Sequence, residues 1–142
     1  MGNGDEIRLD GHLAAADADE LGRRLDEFNA TATGVDDQAP LRIGARDGEG
    51  RLVGGVVGST WCGWLYVSTL WVDEAFRGAG LGSRLLAAAE AAAVTRGCRH
   101  ACLSSFSYQA RPFYERHGYA VFGQLDDYPP GGALYFLHKA LG

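Results

Sequence analysis

The sequence predicts a mixed α/β sandwich in a single domain spanning residues 1–142. Three observations predict it. Apolar runs of strand length, separated by short turns, fill residues 41–72. One Ala- and Leu-rich stretch at residues 81–96 carries Leu81, Leu85, Ala89 and Ala92 at helical spacing. After it the pattern returns to strand, short helix and two strands. A chain of 142 residues has room for one core.

In chain order, residues 7–10 read as a short opening strand. Asp17 or Asp19 is placed to cap a helix running to about Asn29, with Leu21, Leu25 and Phe28 on one face. Residues 31–40 are polar and turn-rich and read as a loop near the functional face. Strands at 41–46 and 52–60 flank the turn Asp47-Gly48-Glu49-Gly50 as a hairpin. Trp61-Cys62-Gly63 turns the chain into a long apolar strand at 64–72, and residues 73–80 form a loop. The helix at 81–96 closes on Gly97. A strand at 100–105 precedes a helix at about 109–117, which starts near Pro112 and stops at Gly118. Strands at 119–125 and 133–139 flank a proline-containing loop.

Composition excludes several classes. Hydrophobic residues make up 46% and charged residues 22%, an ordinary globular balance. The net charge is -5 and the 13 basic residues are scattered, so no nucleic-acid footprint is expected. No apolar run approaches the roughly 20 residues of a membrane helix, no signal peptide is expected, and the expected location is the cytoplasm. Cys62, Cys98 and Cys102 lack zinc-ligand spacing and read as ordinary thiols; no metal site is expected.

The most informative stretch runs from Leu70, Trp71 and Val72 through Asp73-Glu74-Ala75-Phe76 to Arg77, Gly78, Ala79, Gly80, Leu81, Gly82 and Ser83. A strand enters a glycine-rich turn that opens a long helix. The first N–H groups of a helix lack internal partners and sit at the positive end of its dipole. Glycines there let backbone wrap a phosphate with no Cβ in the way. The nucleotide P-loop is absent, since the chain contains no Gly-Lys pair. The alternation of Gly78, Gly80 and Gly82 with Ser83 also fails the dinucleotide fingerprint.

The segment does match Arg-x-x-Gly-x-Gly, and there it resembles the acetyl-CoA pyrophosphate loop of the GNAT N-acetyltransferase superfamily. A second element supports the resemblance: Ala110-Arg111-Pro112-Phe113-Tyr114-Glu115-Arg116-His117-Gly118-Tyr119 is similar to that superfamily's Ala-x-x-Phe-Tyr helix ending in Gly-Tyr. The two elements lie in the right order within residues 64–121. The tail at 122–131, with the stretch from Trp61 to Trp71, resembles a compact bacterial subgroup.

The resemblance implies a mostly antiparallel central sheet, splayed at a cofactor cleft and flanked by helices. It implies acetyl-CoA as co-substrate, with pantetheine along Leu70, Trp71 and Val72 and pyrophosphate on the backbone from Gly78 to Ser83, near Arg77. Ser107 stands where the superfamily often has an Asn on the cofactor arm. Tyr114 matches the residue that protonates departing coenzyme A thiolate; its alternative is a packing role. No carboxylate stands at Tyr66-Val67-Ser68-Thr69, where some members keep a general base, so the base stays unassigned, with a water relay from Tyr66 or Ser68, or a substrate arriving as free amine, as a substitute. His12, His100, His117 and His138 read as structural or exposed.

The implied activity is acetyl transfer to a primary amine of a small molecule by direct attack. A protein or peptide amine, or a module that binds an acyl-CoA without turnover, are the alternatives. Trp61, Trp64, Tyr66 and Trp71 favour an aromatic-lined pocket over an open groove. The resemblance also admits a homodimer, in which the last strand, bearing Phe136, could pair with its copy.

Overall fold

A computed structural model describes residues 4 and 6–142. The chain forms two compact units, Met1–Asp36 and Asp37–Gly142. In the first, helix α1 spans Ala15–Thr33. It starts at Ala15, two residues before Asp17, and its N-cap Ala14 supplies no side-chain cap. The acid of Asp17 in the first turn still complements the dipole. Gly34, at φ 72°, ends the helix by donating its N–H to the Ala30 carbonyl at 2.9 Å. No residue of α1 is buried, and Leu21, Leu25 and Phe28 are more than half exposed. Residues 7–10 form no strand: Ile7 and Leu9 are exposed and neither enters a ladder, while Asp10 caps the following turn through the His12 N–H at 2.9 Å.

The second unit is built on six strands: β1 (Ala39–Arg46), β2 (Leu52–Trp61), β3 (Trp64–Val72), β4 (His100–Phe106), β5 (Ala120–Asp126) and β6 (Ala133–Ala140). Helix α2 (Leu81–Thr95) joins β3 to β4, and the short α3 (Arg111–Arg116) follows β4. The sheet order is β1-β2-β3-β4-β6-β5, antiparallel except for the β3–β4 pair. Strand β6 lies between β4 and β5, both of its edges already paired. It therefore has no edge left for a second copy, which corrects the expectation for the Phe136 strand.

Helix α2 covers one face of β1, β2 and β3. It presents Leu85, Leu86, Ala89 and Ala93 to Leu41, Val56, Leu65 and Val67, all buried. The alanines leave room for the helix to lie close to the sheet. Gly97, at φ 89°, ends it as expected.

One irregularity shapes the unit. Val57 pairs with Thr69 and Gly58 with Val67, which leaves Ser68 as an extra residue in β3. Such a bulge bends and twists its strand. The core-facing side chains are Leu65 and Val67 before it, Leu70 and Val72 after it. Strand β3 pairs with β4 only over residues 64–67 and 100–103; beyond the bulge the two diverge, while β4 stays paired with β6 to Phe106. The sheet is thus open between β3 and β4, the splay expected of it. No helix among the described residues is long and apolar enough to cross a membrane.

Candidate active site

The divergence of β3 and β4 opens a cleft of about 770 Å³. One wall is residues 68–72; Ser104, Ser105, Tyr108, Gln109, Ala110 and Tyr114 form the other, with Arg77 completing the lining. On the first wall, backbone groups of residues 68–72 that face β4 have no ladder partner, because that pairing stops at Val67. They are free to pair with an extended ligand.

The turn after β3 is fixed at several points. The Asp73 N–H donates to the Val53 carbonyl at 2.8 Å, and a short 3-10 turn follows at Glu74–Phe76. Arg77 folds back on the strand end: its Nε donates to the Val72 carbonyl at 2.8 Å, and its guanidinium lies 4.7 Å from the Trp71 ring centroid. Trp71 in turn donates its indole N–H to Asp73 at 3.0 Å. Gly78 and Gly80 both sit in the left-handed region, at φ 85° and 84°, where a side chain is strained. The first bond of α2 runs from the Arg84 N–H to the Gly80 carbonyl. The N–H groups of Leu81, Gly82 and Ser83 therefore have no partner within the helix. Together with the Arg77 cation they suit an anion.

The second wall depends on the end of β4. Ser105 Oγ accepts the Ala110 N–H at 3.3 Å and Gln109 Oε1 accepts the Phe106 N–H at 2.7 Å, which sets the entry into α3. Pro112 occupies the first turn, as expected. Tyr114 is 8% exposed, packed edge-on against Phe113 and Tyr119. Among the described residues its hydroxyl has no hydrogen-bond partner, yet no partnerless side-chain oxygen is fully buried. Tyr114 itself is one of the residues lining the cleft. Burial pushes the phenol pKa up, so it holds its proton at neutral pH. From the end of α3, His117 Nε2 lies 2.9 Å from the Ser83 hydroxyl and links the two helices.

The structure thus brings Leu70, Trp71, Val72, Arg77 and Tyr114 to one cleft. Gly78, Ala79, Gly80, Leu81, Gly82 and Ser83 occupy the turn and first helical turn beyond Arg77. Ser107 is not among the lining residues; its hydroxyl accepts the Ala133 N–H at 3.1 Å. Nor are Trp61, Trp64 and Tyr66, although Trp71 is. The pleat places Trp64 and Tyr66 opposite the core-facing Leu65 and Val67. Ser68 does line the cleft; its hydroxyl donates to the Val57 carbonyl at 3.0 Å, which leaves its oxygen free to accept. Ser104, Ser105, Tyr108 and Gln109 were missed by motif reading, and their one signal was position, at the end of the strand opposite β3. Among the described residues no group of three or more His, Cys, Asp or Glu side chains is placed to hold a metal.

Comparison with known proteins agrees with this geometry. The model of the acetyltransferase (GNAT) family matches residues 10–119. A blasticidin-S acetyltransferase of Streptomyces morookaense is 47% identical over 93 residues, 65% of this chain and 68% of that protein. An acetyltransferase of Agrobacterium fabrum is 38% identical over 128 residues, 89% of this chain and 93% of that protein. The crystal structure of an acetyltransferase from Bacillus cereus superposes with a TM-score of 0.83 at 31% identity, covering 94% of this chain and 98% of that one.

Proposed function

We propose, from the premise that the chain belongs to the acetyltransferase (GNAT) family, that it transfers acetyl from acetyl-CoA to a primary amine of a small molecule. The observation that carries this reading is the cleft itself, with unpaired strand backbone on one wall, a glycine turn opening a helix beside it, and a buried tyrosine on the other wall. Extended backbone matches the amides of pantetheine. The free N–H groups of Leu81, Gly82 and Ser83, with the backbone of Gly78, Ala79 and Gly80 and the Arg77 cation, match a pyrophosphate. Similarity to the Streptomyces protein, named for acetylating blasticidin-S, supports a small-molecule acceptor.

Transfer then proceeds by direct attack. The free amine adds to the thioester carbonyl carbon, and backbone N–H groups of residues 70–72 meet the oxygen as it gains charge. Collapse breaks the carbon–sulfur bond, and the thiolate takes the Tyr114 proton. The ammonium proton of the adduct leaves to water, for which the Ser68 oxygen is an acceptor, and a proton returned from that water restores the Tyr114 phenol. Acetylated amine and coenzyme A thiol are the products.

The test is free-thiol release from acetyl-CoA over a panel of small amines, with peptides bearing a free N-terminus or lysine in parallel. At least one small amine should raise release about tenfold or more over the amine-free rate. Gly80→Asp sets a side chain and a negative charge at the turn. By calorimetry it should weaken acetyl-CoA binding at least about tenfold, ~1.4 kcal/mol. Tight acetyl-CoA binding with no amine-stimulated release would make the protein a binding module, and stimulation by peptides alone would move the acceptor to protein amines.

A further inference from the structure

We propose that the aromatic ledge formed by Phe106, Tyr108 and Tyr128 is an acceptor subsite that selects amines carrying a planar ring. This rests on the acetyl-transfer reading of the cleft. Phe106 ends β4, Tyr108 lies in the turn after it, and Tyr128 comes from the β5–β6 loop. The Phe106 and Tyr108 rings stack with centroids 5.4 Å apart and planes within 9°. Tyr128 leans on Phe106 from 5.1 Å at 42°.

Such a cluster ordinarily serves to bury its rings, but here Tyr108 remains 69% exposed and Tyr128 49%. One face of Tyr108 is therefore stacked while most of its surface stays in solvent. The ledge is also held rigidly. The Ser107 N–H donates to the Ala133 carbonyl at 2.8 Å, and Ser107 Oγ accepts the Ala133 N–H in return. Gln109 pins the Phe106 N–H, and the Asp127 carboxylate accepts the Gly131 N–H at 3.1 Å. Rings fixed in advance lose little entropy when a ligand stacks on them.

Position and charge say what that ligand is. Tyr108 lines the cleft together with Ser104 and Tyr114. A planar ring laid on Tyr108 continues the existing stack, and an amine on a short arm from that ring enters the space those side chains share. Asp126 ends β5 and Asp127 opens the loop that carries Tyr128, and among the described residues neither pairs with a cation. They favour a ligand that arrives with positive charge.

The experiment compares 2-phenylethylamine with 2-cyclohexylethylamine, which share carbon count and arm length but differ in ring planarity. The wild type should prefer the planar amine by about three- to tenfold in kcat/KM, carried by KM. Tyr108→Leu should collapse that preference, and Tyr108→Phe should keep it. The same pair is measured for binding to the CoA-loaded protein by saturation-transfer NMR. If neither amine releases thiol, the transfer reading fails for these acceptors, while a planar preference in binding that Tyr108→Leu removes still supports the ledge. Equal affinity for the two amines, or a preference that survives Tyr108→Leu, overturns it.

Discussion

Tyr114 is set between two demands that a proton donor to sulfur must meet. Its ring is packed among Phe113, Tyr119 and the core, while the residue lines the cleft and its hydroxyl has no partner among the described residues. Burial raises the phenol pKa, which secures the proton at neutral pH but makes the phenolate costlier. Transfer to a thiolate of ordinary pKa, about 8.5, is therefore uphill in water. It becomes feasible where the leaving sulfur is also desolvated and the two atoms are held together. Tyr114→Phe keeps the ring and deletes only the hydroxyl, so melting temperature and acetyl-CoA affinity should barely move. The rate should fall about 10²-fold or more in kcat on any accepted amine. A loss under about threefold, with chemistry limiting, would leave Tyr114 a packing residue and assign thiolate protonation to water.

At the scale of elements, the cleft exists because β3 carries one residue too many for β2. Gly58 stands directly beside the bulge, and a Cβ there would collide with the Tyr66 carbonyl and crowd the Val67 Cα at 3.2 Å. Both are backbone atoms in a paired strand, with no rotamer by which to yield. Gly58→Ala should therefore destabilise by about 1–3 kcal/mol, the usual cost of overpacking, read as a lower urea midpoint. It should also weaken acetyl-CoA binding, because the strand that moves is a cleft wall. Unchanged stability would mean that the bulge is free to slide.

This irregularity is also a feature that no local sequence signal carries. Most strands and helices were legible to within one or two residues, because apolar period and glycine stops act locally. The bulge was not, since a run such as Tyr66-Val67-Ser68-Thr69 looks the same with or without an extra residue in its partner's register. Of the candidate site, the turn from Arg77 to Ser83 and the helix of Tyr114 carry their own motifs. Tyr108 and Ser104 carry none, and they join the site only because β4 parts from β3. Ser107 stands off that lining for a related reason: its hydroxyl accepts from Ala133, twenty-six residues away. Strand order was equally out of reach, and it is what removes β6 from any dimer edge.

On the scale of the whole unit, α2, the end of α3 and the sheet are tied at Glu90. Its carboxylate accepts the Tyr119 hydroxyl at 2.8 Å and the Lys139 ammonium at 2.8 Å. Tyr119 is buried, and burial followed by the Glu90 contact drives its pKa far above that of a free phenol. Tyr114, buried Cys98 and half-buried Cys102 are shifted in the same direction, each chiefly by burial. All four groups are thus held neutral in the folded chain at a pH where the unfolded chain ionises them. Above about pH 8.5 for the thiols and about pH 10 for the phenols, the unfolded state binds fewer protons than the native one. Stability must then fall as pH rises, because the slope follows the difference in bound protons. It is fully present below the unfolded values and is lost towards the folded ones. Urea midpoints should accordingly hold steady near neutrality and drop between about pH 9 and 11. Tyr119→Phe should start lower at pH 7, having lost a charge-assisted hydrogen bond, yet lose less over the alkaline range than the wild type. Parallel profiles for the two proteins would mean that Tyr119 ionises alike in both states, and that the Glu90 junction does not hold its proton.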